Sequence, residues 1–265
     1  SIRILIPPLS MTRKKTAATN VPLNIALLAV GRRGCLFLSR LAPADFPHMK
    51  RMAIAGAGRP LSTLAADVKI EIAERGRGSA AEVIIEHRTA IVAALGQADM
   101  VIALGNVSNS EVAEQTAAVA DLVQTTGVLF CFIGALPFAF EGLRVAQTAE
   151  KNVALLKEKT DAAFVLSSDA ILARSILAKD ALTSVDRFVA EYVRALTELI
   201  RSVGLVNVDF NDIKSTMCHA GTAYFYTARG PLSEAYKLTE DALRGGYMDS
   251  VDFAAYERIL YVLYG

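Results

Sequence analysis

The chain has 265 residues, of which 53% are hydrophobic, enough to bury one large core or two moderate ones. Its 28 Lys and Arg residues nearly balance 27 Asp and Glu residues, so no global field would recruit nucleic acid or an acidic membrane. No apolar run reaches the roughly 18–20 residues of a membrane span. The scattered cysteines, without C-x-x-C spacing, favour a reducing, cytoplasmic compartment.

Apolar runs alternate with amphipathic stretches along most of the chain. Strands are predicted at residues 23–30, 49–55, 67–72, 98–104, 127–133 and 162–166. Helices are predicted at 35–41, 80–95, 111–124, 142–157 and 169–178. This alternation predicts an α/β fold with a doubly wound parallel sheet, whose ligands bind at the carboxyl ends of the strands. Those ends are the loops at Gly31, Ala55, Gly76, Gly105, Ala135 and Ser167.

Four segments follow from these patterns. Residues 1–21 are predicted to be a tail, in which Arg13, Lys14 and Lys15 are interpreted as solvated charges. A doubly wound α/β domain is predicted at 22–179, a long amphipathic helix at 180–203 and a smaller α+β unit at 204–265. That last unit has one predicted strand, at 255–263, which cannot close a sheet alone. It is therefore either abbreviated or continued beyond Gly265.

The stretch GLVNVDFNDIKSTM, residues 204–217, carries Asn207, Asp209 and Asp212 at N-x-D-x-x-D spacing. Two carboxylates this close can orient a water for attack on a phosphate. They can equally cap the following helix, which would stabilise it by about 1 kcal/mol. The residues alone leave both interpretations open.

Together with ADVKI (66–70), ADMVIALG (98–105) and PFAFEG (137–142), this stretch resembles the FtsZ branch of the tubulin superfamily. The resemblance extends from about Leu23 to Gly265. It implies a GTP-binding domain joined by a central helix to a smaller activation-type domain. It also implies that Asn207, Asp209 and Asp212 act on the nucleotide of a neighbouring subunit.

The nucleotide loops depart from the family pattern. Where the family has GGGTGTG, this chain has GNVSNS at 105–110, followed by Glu111, whose charge would repel a phosphate at the helix start. The family's N-T-D of the second loop aligns with Ala55, Gly56 and Ala57. The remnant cleft comprises Gly31, Arg32, Arg33, Gly34, Gly105, Asn106, Ser108, Glu141, Arg144, Ser168, Asp186 and Arg187.

Each lost charge-assisted contact removes roughly 1.5–3 kcal/mol of binding free energy. We therefore expect an FtsZ-like assembly protein with weak or absent GTP binding and no cofactor. The alternative is a GTPase that binds GTP or GDP, with Mg²⁺ beside GTP, through altered loops. A third class is an anion or small-ligand binder that uses the same cleft.

The expected partner is a second copy of the chain or an FtsZ homologue, with no nucleic acid and no integral membrane contact. Asp209 and Asp212 of one subunit could meet Arg32 and Arg33 of the next, which gives a nucleotide-free longitudinal contact. Arg77 is a further arginine predicted to converge on the cleft.

Other motifs predict no chemistry. The Gly31-x-x-Gly34 turn lacks the full G-x-G-x-x-G pattern of dinucleotide loops. His48, His87 and His219 are dispersed without ligand-spaced partners, so no metal site is expected. Cys218 and His219 fall within a predicted helix, where neighbouring side chains point apart, and this disfavours a cysteine protease.

Overall fold

The computed structural model describes residues 2–4, 23–57, 59–72, 79–174, 181–201, 210–224, 226–228, 231–234, 236–237 and 262–263. Its strands are β1 Ile2–Ile4, β2 Ile25–Val30, β3 Lys50–Gly56, β4 Val68–Ile72, β5 Met100–Leu104, β6 Leu129–Ala135, β7 Ala162–Leu166, β8 Gly221–Thr222, β9 Tyr226–Ala228 and β10 Val262–Leu263. Strands β2 to β8 form a seven-stranded parallel sheet in the order β4-β3-β2-β5-β6-β7-β8. Strand β1 pairs antiparallel with β9 and β10 in a separate three-stranded sheet.

Helices cover both faces of the parallel sheet. They are α1 Gly31–Ser39, α2 Arg59–Ser62, α3 Ala80–Glu86, α4 Arg88–Leu95, α5 Ser110–Gln124, α6 Leu143–Lys159, α7 Ser168–Arg174, α8 Ala181–Arg201 and α9 Phe210–Met217. Because successive strand residues point to opposite faces, Leu27 and Leu28 enter different apolar layers. One layer includes Phe37 of α1 and Val193 of α8, and the other includes Val119 of α5.

This architecture confirms the predicted α/β fold with a doubly wound parallel sheet. The continuous apolar runs are the reason, since β2, β5 and β6 are buried along their full length. The long helix predicted at 180–203 is α8. No helix in the part of the chain that the structure describes is long and apolar enough to cross a membrane.

Four local predictions differ from the structure. The turn predicted at 31–34 is the first turn of α1. The helix predicted at 80–95 divides at His87, whose φ of −98° and ψ of 10° interrupt the helical backbone. The helix predicted to include Cys218 and His219 ends at Met217, and His219 has a left-handed φ of +53°. A strand, Ile2–Ile4, lies within the predicted tail.

The order of the strands creates a topological switch point at the carboxyl ends of the central strands. Along the chain, β3 and β4 are added on one side of β2, whereas β5 to β8 are added on the other. The carboxyl ends of β2 and β5 therefore meet at a topological switch point, where open parallel sheets bind ligands. Gly31 follows β2 and Gly105 follows β5 at this point.

Candidate functional site

Two glycines bring α1 close to the ends of the central strands. At Gly31, whose φ is +70°, an added Cβ would lie 2.6 Å from the Val112 Cγ2 atom. At Gly34 an added Cβ would lie 2.3 Å from the Leu104 carbonyl oxygen, well inside van der Waals contact. Both glycines therefore serve the packing of α1 against the end of β5 and the start of α5.

An ion pair joins α1 to the central helix α8 beside the cleft. The Arg33 Nη2 atom lies 2.8 Å from the Asp186 Oδ1 atom, and the Arg33 guanidinium lies 5.3 Å from the centre of the Phe37 ring. Asp186 is buried, whereas Arg32, the preceding residue, is exposed. The pair therefore uses both the arginine and the carboxylate, two predicted cleft residues, within one subunit.

Burial raises the pKa of Asp186 above its ordinary value, and the positive charges of Arg33 and Arg40 oppose that rise. The contact with Arg33 is short but poorly directed, so the Asp186 Oδ1 atom accepts no hydrogen bond from the residues that the structure describes. Arg187, the neighbouring predicted cleft residue, is exposed. The ionised form of Asp186 therefore depends on the arginines for its stability.

The loop between β5 and α5 forms one wall of the cleft, and its Asn side chains accept hydrogen bonds from its own backbone N–H groups. The Asn109 Oδ1 atom accepts hydrogen bonds from the backbone N–H groups of Glu111 at 3.0 Å and Val112 at 3.4 Å. The Asn106 Oδ1 atom accepts from the Ser108 N–H at 3.0 Å. Donors at this helix start, the usual anion-binding groups of such a loop, are thus already bonded to side chains.

Glu111 adds a negative charge in the first turn of α5. Its Oε1 atom accepts a hydrogen bond from the Gln115 Nε2 atom at 3.2 Å. A carboxylate at this position interacts favourably with the helix dipole but repels an anion placed at the same point. The electrostatics of this wall therefore disfavour a phosphate.

The segment after β6 and the start of α7 form a further wall, where two predicted cleft residues have partners within the chain. The Glu141 Oε1 atom accepts from the Phe138 N–H at 2.8 Å. The Ser168 hydroxyl donates to the carbonyl oxygen of Leu136. Arg144 is exposed at the rim. Glu141 and Ser168 thus hold the shape of the wall through contacts within the chain.

The predicted cleft residues lie near the carboxyl ends of the strands, whereas Asp212 lies near their amino ends. Helix α9 carries the exposed Asp212 in its first turn. It lies near the amino ends of the strands, because the Lys214 Nζ atom donates to the carbonyl oxygen of Gly127, just before β6, at 2.6 Å. Asn207, Asp209 and Arg77 lie outside the described residues. Asp212 therefore reaches a cleft only if that cleft belongs to another subunit.

Sequence reasoning missed two side chains that shape the cleft. Asn109 caps α5. The sequence could have indicated this cap, because Asn is a common cap residue and it stands just before a predicted helix that begins with an acidic residue. The Asp169 carboxylate accepts from the Ala139 N–H at 3.0 Å, across 30 residues of sequence. No local pattern indicates that second contact.

The strand order and the residues at the switch point assign the chain to the doubly wound α/β proteins, which bind ligands at this position. Over 221 residues the chain is 29% identical to cell division protein FtsZ of Aquifex aeolicus, an alignment that covers 79% of this chain and 60% of that protein. It is 27% identical over 247 residues to FtsZ 1 of Pyrococcus horikoshii, with coverage of 89% and 66%. No family model matches the chain.

A solved FtsZ dimer from M. jannaschii shares the fold with a TM-score of 0.75 and 25% identity, covering 87% of this chain and 71% of that one. The chain is a member of the FtsZ/tubulin superfamily. It spans 60% and 66% of the lengths of the two FtsZ proteins to which it was aligned.

Proposed function

We propose that this chain is an FtsZ-like, cell-division-type assembly protein with weak or absent GTP binding. It acts by self-association or by joining filaments of a homologue. The observation that carries the proposal is the start of α5, where Asn109 bonds the amides of Glu111 and Val112 and Glu111 adds a negative charge.

Phosphate binding at a helix start depends on unpaired N–H groups and a favourable helix dipole. Here a phosphate would have to displace the Asn109 side chain and approach the Glu111 carboxylate. Each charge-assisted contact that is lost removes roughly 1.5–3 kcal/mol. Two or three such losses weaken binding by several orders of magnitude.

The base side of the cleft supports the same proposal. The resemblance places the family's guanine-reading Asp near Arg187, and Asp186 is the adjacent carboxylate. The Arg33 guanidinium already lies 2.8 Å from that carboxylate. A guanine would therefore compete with a fixed intramolecular cation for the same acceptor. These residues do not fit a guanine nucleotide.

The test is nucleotide binding by purified protein, with Aquifex aeolicus FtsZ as the positive control. We expect no stoichiometric GDP after acid release and chromatography, and no calorimetric signal with GTP and Mg²⁺. Co-purified GDP, or a melting temperature that rises with GTP, would contradict the proposal. A rise with inorganic phosphate alone would instead indicate an anion binder.

Assembly is tested separately by sedimentation velocity over a range of protein concentrations. We expect self-association without nucleotide, or co-sedimentation with filaments of a true FtsZ. A chain that stays monomeric in both experiments is not an assembly protein.

The position of Asp212 favours one second candidate, a GTPase that polymerises through altered loops. Asp212 is exposed at the opposite end of the sheet from the cleft, so it could approach the nucleotide of a neighbouring subunit. This candidate predicts GTP turnover per subunit that rises with protein concentration and falls in Asp212→Asn. Turnover that is absent, or independent of concentration, would exclude it.

A further inference from the structure

We propose that Asp161, Cys218 and His219 bind a divalent transition-metal ion of the Zn²⁺ class. Asp161 lies immediately before β7, and Cys218 and His219 follow the last residue of α9. The three residues lie near the amino ends of the strands, at the opposite end of the sheet from the cleft. This site is independent of the proposed nucleotide chemistry.

The donor atoms are close enough for one ion. One ligand atom of each residue lies within 4.8 Å of the other two, and the His219 Nδ1 atom lies 3.9 Å from the Asp161 Oδ1 atom. A tetrahedral Zn²⁺ site holds such atoms about 3.4–3.6 Å apart. The His219 side chain is 85% exposed, so its imidazole has room to rotate toward the other two ligand atoms.

Backbone hydrogen bonds orient the carboxylate. The Asp161 Oδ2 atom accepts from the Phe130 N–H at 2.8 Å, while the Asp161 N–H donates to the Phe130 carbonyl oxygen at 2.8 Å. The side chain of Asp161 is only 6% exposed. Its Oδ1 atom is the oxygen nearest to His219, so the buried carboxylate is held in place before any ion arrives.

The turn that carries the other two ligands is tied to the same residue. The N–H groups of Ala220 and Gly221 donate to the Asp161 carbonyl oxygen at 2.7 and 3.3 Å. His219 adopts a φ of +53°, in the left-handed region that residues with a side chain rarely adopt. This turn overturns the expectation that Cys218 and His219 lie in a helix with their side chains apart. No metal site was expected because His219 lacks ligand-spaced partners along the sequence, yet the fold brings Asp161 and Cys218 to it.

The set of donors selects the ion. A thiolate, an imidazole and a carboxylate suit Zn²⁺ and its neighbours, whereas Mg²⁺ and Ca²⁺ prefer oxygen ligands alone. Three protein ligands leave a fourth position for water at the exposed side of His219. A bound ion would join the end of α9 to the start of β7.

Metal binding is measured on tag-free, reduced protein that has been treated with EDTA and desalted. We expect one Co²⁺ per chain, with a thiolate-to-cobalt absorption band in the near ultraviolet that Zn²⁺ abolishes. Elemental analysis after Zn²⁺ loading should give one ion per chain. A chain that takes up no stoichiometric Co²⁺ or Zn²⁺ overturns the proposal.

Two variants locate the site. We expect Cys218→Ser to abolish the thiolate band and His219→Asn to weaken Co²⁺ binding at least about tenfold. Asn tolerates the left-handed backbone of His219, so the second variant should keep the turn. His87→Asn, at a histidine remote from the cluster, serves as the control and should bind like the wild type. Unchanged affinity in both cluster variants would overturn the proposal.

Discussion

At the scale of single residues, the Arg33–Asp186 ion pair should be worth more than an exposed one. The side chains are 25% and 10% exposed, so water screens the pair weakly. We expect Arg33→Gln to lower the free energy of unfolding by about 1.5–3 kcal/mol at pH 7. The matched control is Arg194→Gln in the exposed pair with Asp45, which should cost less than about 1 kcal/mol. Equal losses in urea denaturation would contradict this ranking.

Asp186 should also make stability depend on pH. Because its pKa is raised from 3.8 in the folded protein, the native state holds this proton more tightly than the unfolded state. Its contribution to stability is therefore present below the unfolded pKa and is lost as pH rises through the folded pKa. Asp186→Asn removes that loss, so its stability relative to the wild type should improve as pH rises above the unfolded pKa and level off above the folded pKa. Urea denaturation at several pH values checks this, and a difference that falls with pH would contradict it.

Gly34 should be intolerant of any side chain, because an added Cβ would lie 2.3 Å from the Leu104 carbonyl oxygen. We expect Gly34→Ala to cost about 3 kcal/mol of unfolding free energy, since helix and strand must move apart. The control is Gly127→Ala, where φ is +81° and nothing lies within 4 Å of the added Cβ. That change should cost only about 1–2 kcal/mol of backbone strain. Thermal denaturation of both variants measures the contrast, and equal costs would argue against close packing.

At the scale of elements, the cap of α5 can be measured directly. Asn109→Ala should lower the free energy of unfolding by about 1 kcal/mol, because two N–H groups lose their acceptor. Asn109→Gly should cost only a few tenths of a kcal/mol, since glycine leaves the helix start open to water. Chemical denaturation compares the pair. If alanine and glycine cost the same, the Asn109 side chain does not cap the helix.

The sequence predicted the elements of the sheet well and the details of their ends less well. Strand β7 was predicted at its observed residues, because its five apolar residues between polar flanks are too few for a buried helix and suit a buried strand. The division between α3 and α4 was missed, since residues 80–95 show a continuous helical pattern through His87. Ser79 and Glu82 form a capping box that marks the start of α3, and nothing as local marks its end.

At the scale of the whole molecule, opposite charges lie at the two ends of the parallel strands. Arg32 is exposed beside the cleft, and Asp212 is exposed on α9. We expect Arg32→Glu or Asp212→Arg to weaken self-association about threefold to fivefold, and the double reversal to restore part of it. Arg88→Glu supplies the same charge change elsewhere. Sedimentation velocity measures all four, and a double variant weaker than both singles would contradict a direct contact.

The candidate site was harder to predict than the fold, because its chemistry depends on distant partners. The residues of the cleft could be named from the resemblance, but the pairing of Arg33 with Asp186 joins two elements far apart in sequence. The same limit hid the cluster at His219, since Asp161 precedes it by more than fifty residues. Local patterns indicate caps and helix faces, whereas they carry no information on which loops meet.

The switch point also dictates the order in which the chain can fold. Strand β2 can pair with β3 early, yet its other neighbour is β5, and the Asn24 N–H reaches the Asp99 carboxylate across 75 residues. Closing such a long loop has a large entropic cost before the contact forms, which makes parallel pairing intrinsically slow. During synthesis, the middle of the sheet therefore keeps one open edge until β5 has emerged. In that interval we expect the unpaired backbone groups at the edge of β2, and its apolar side chains, to be exposed to aggregation and to chaperones.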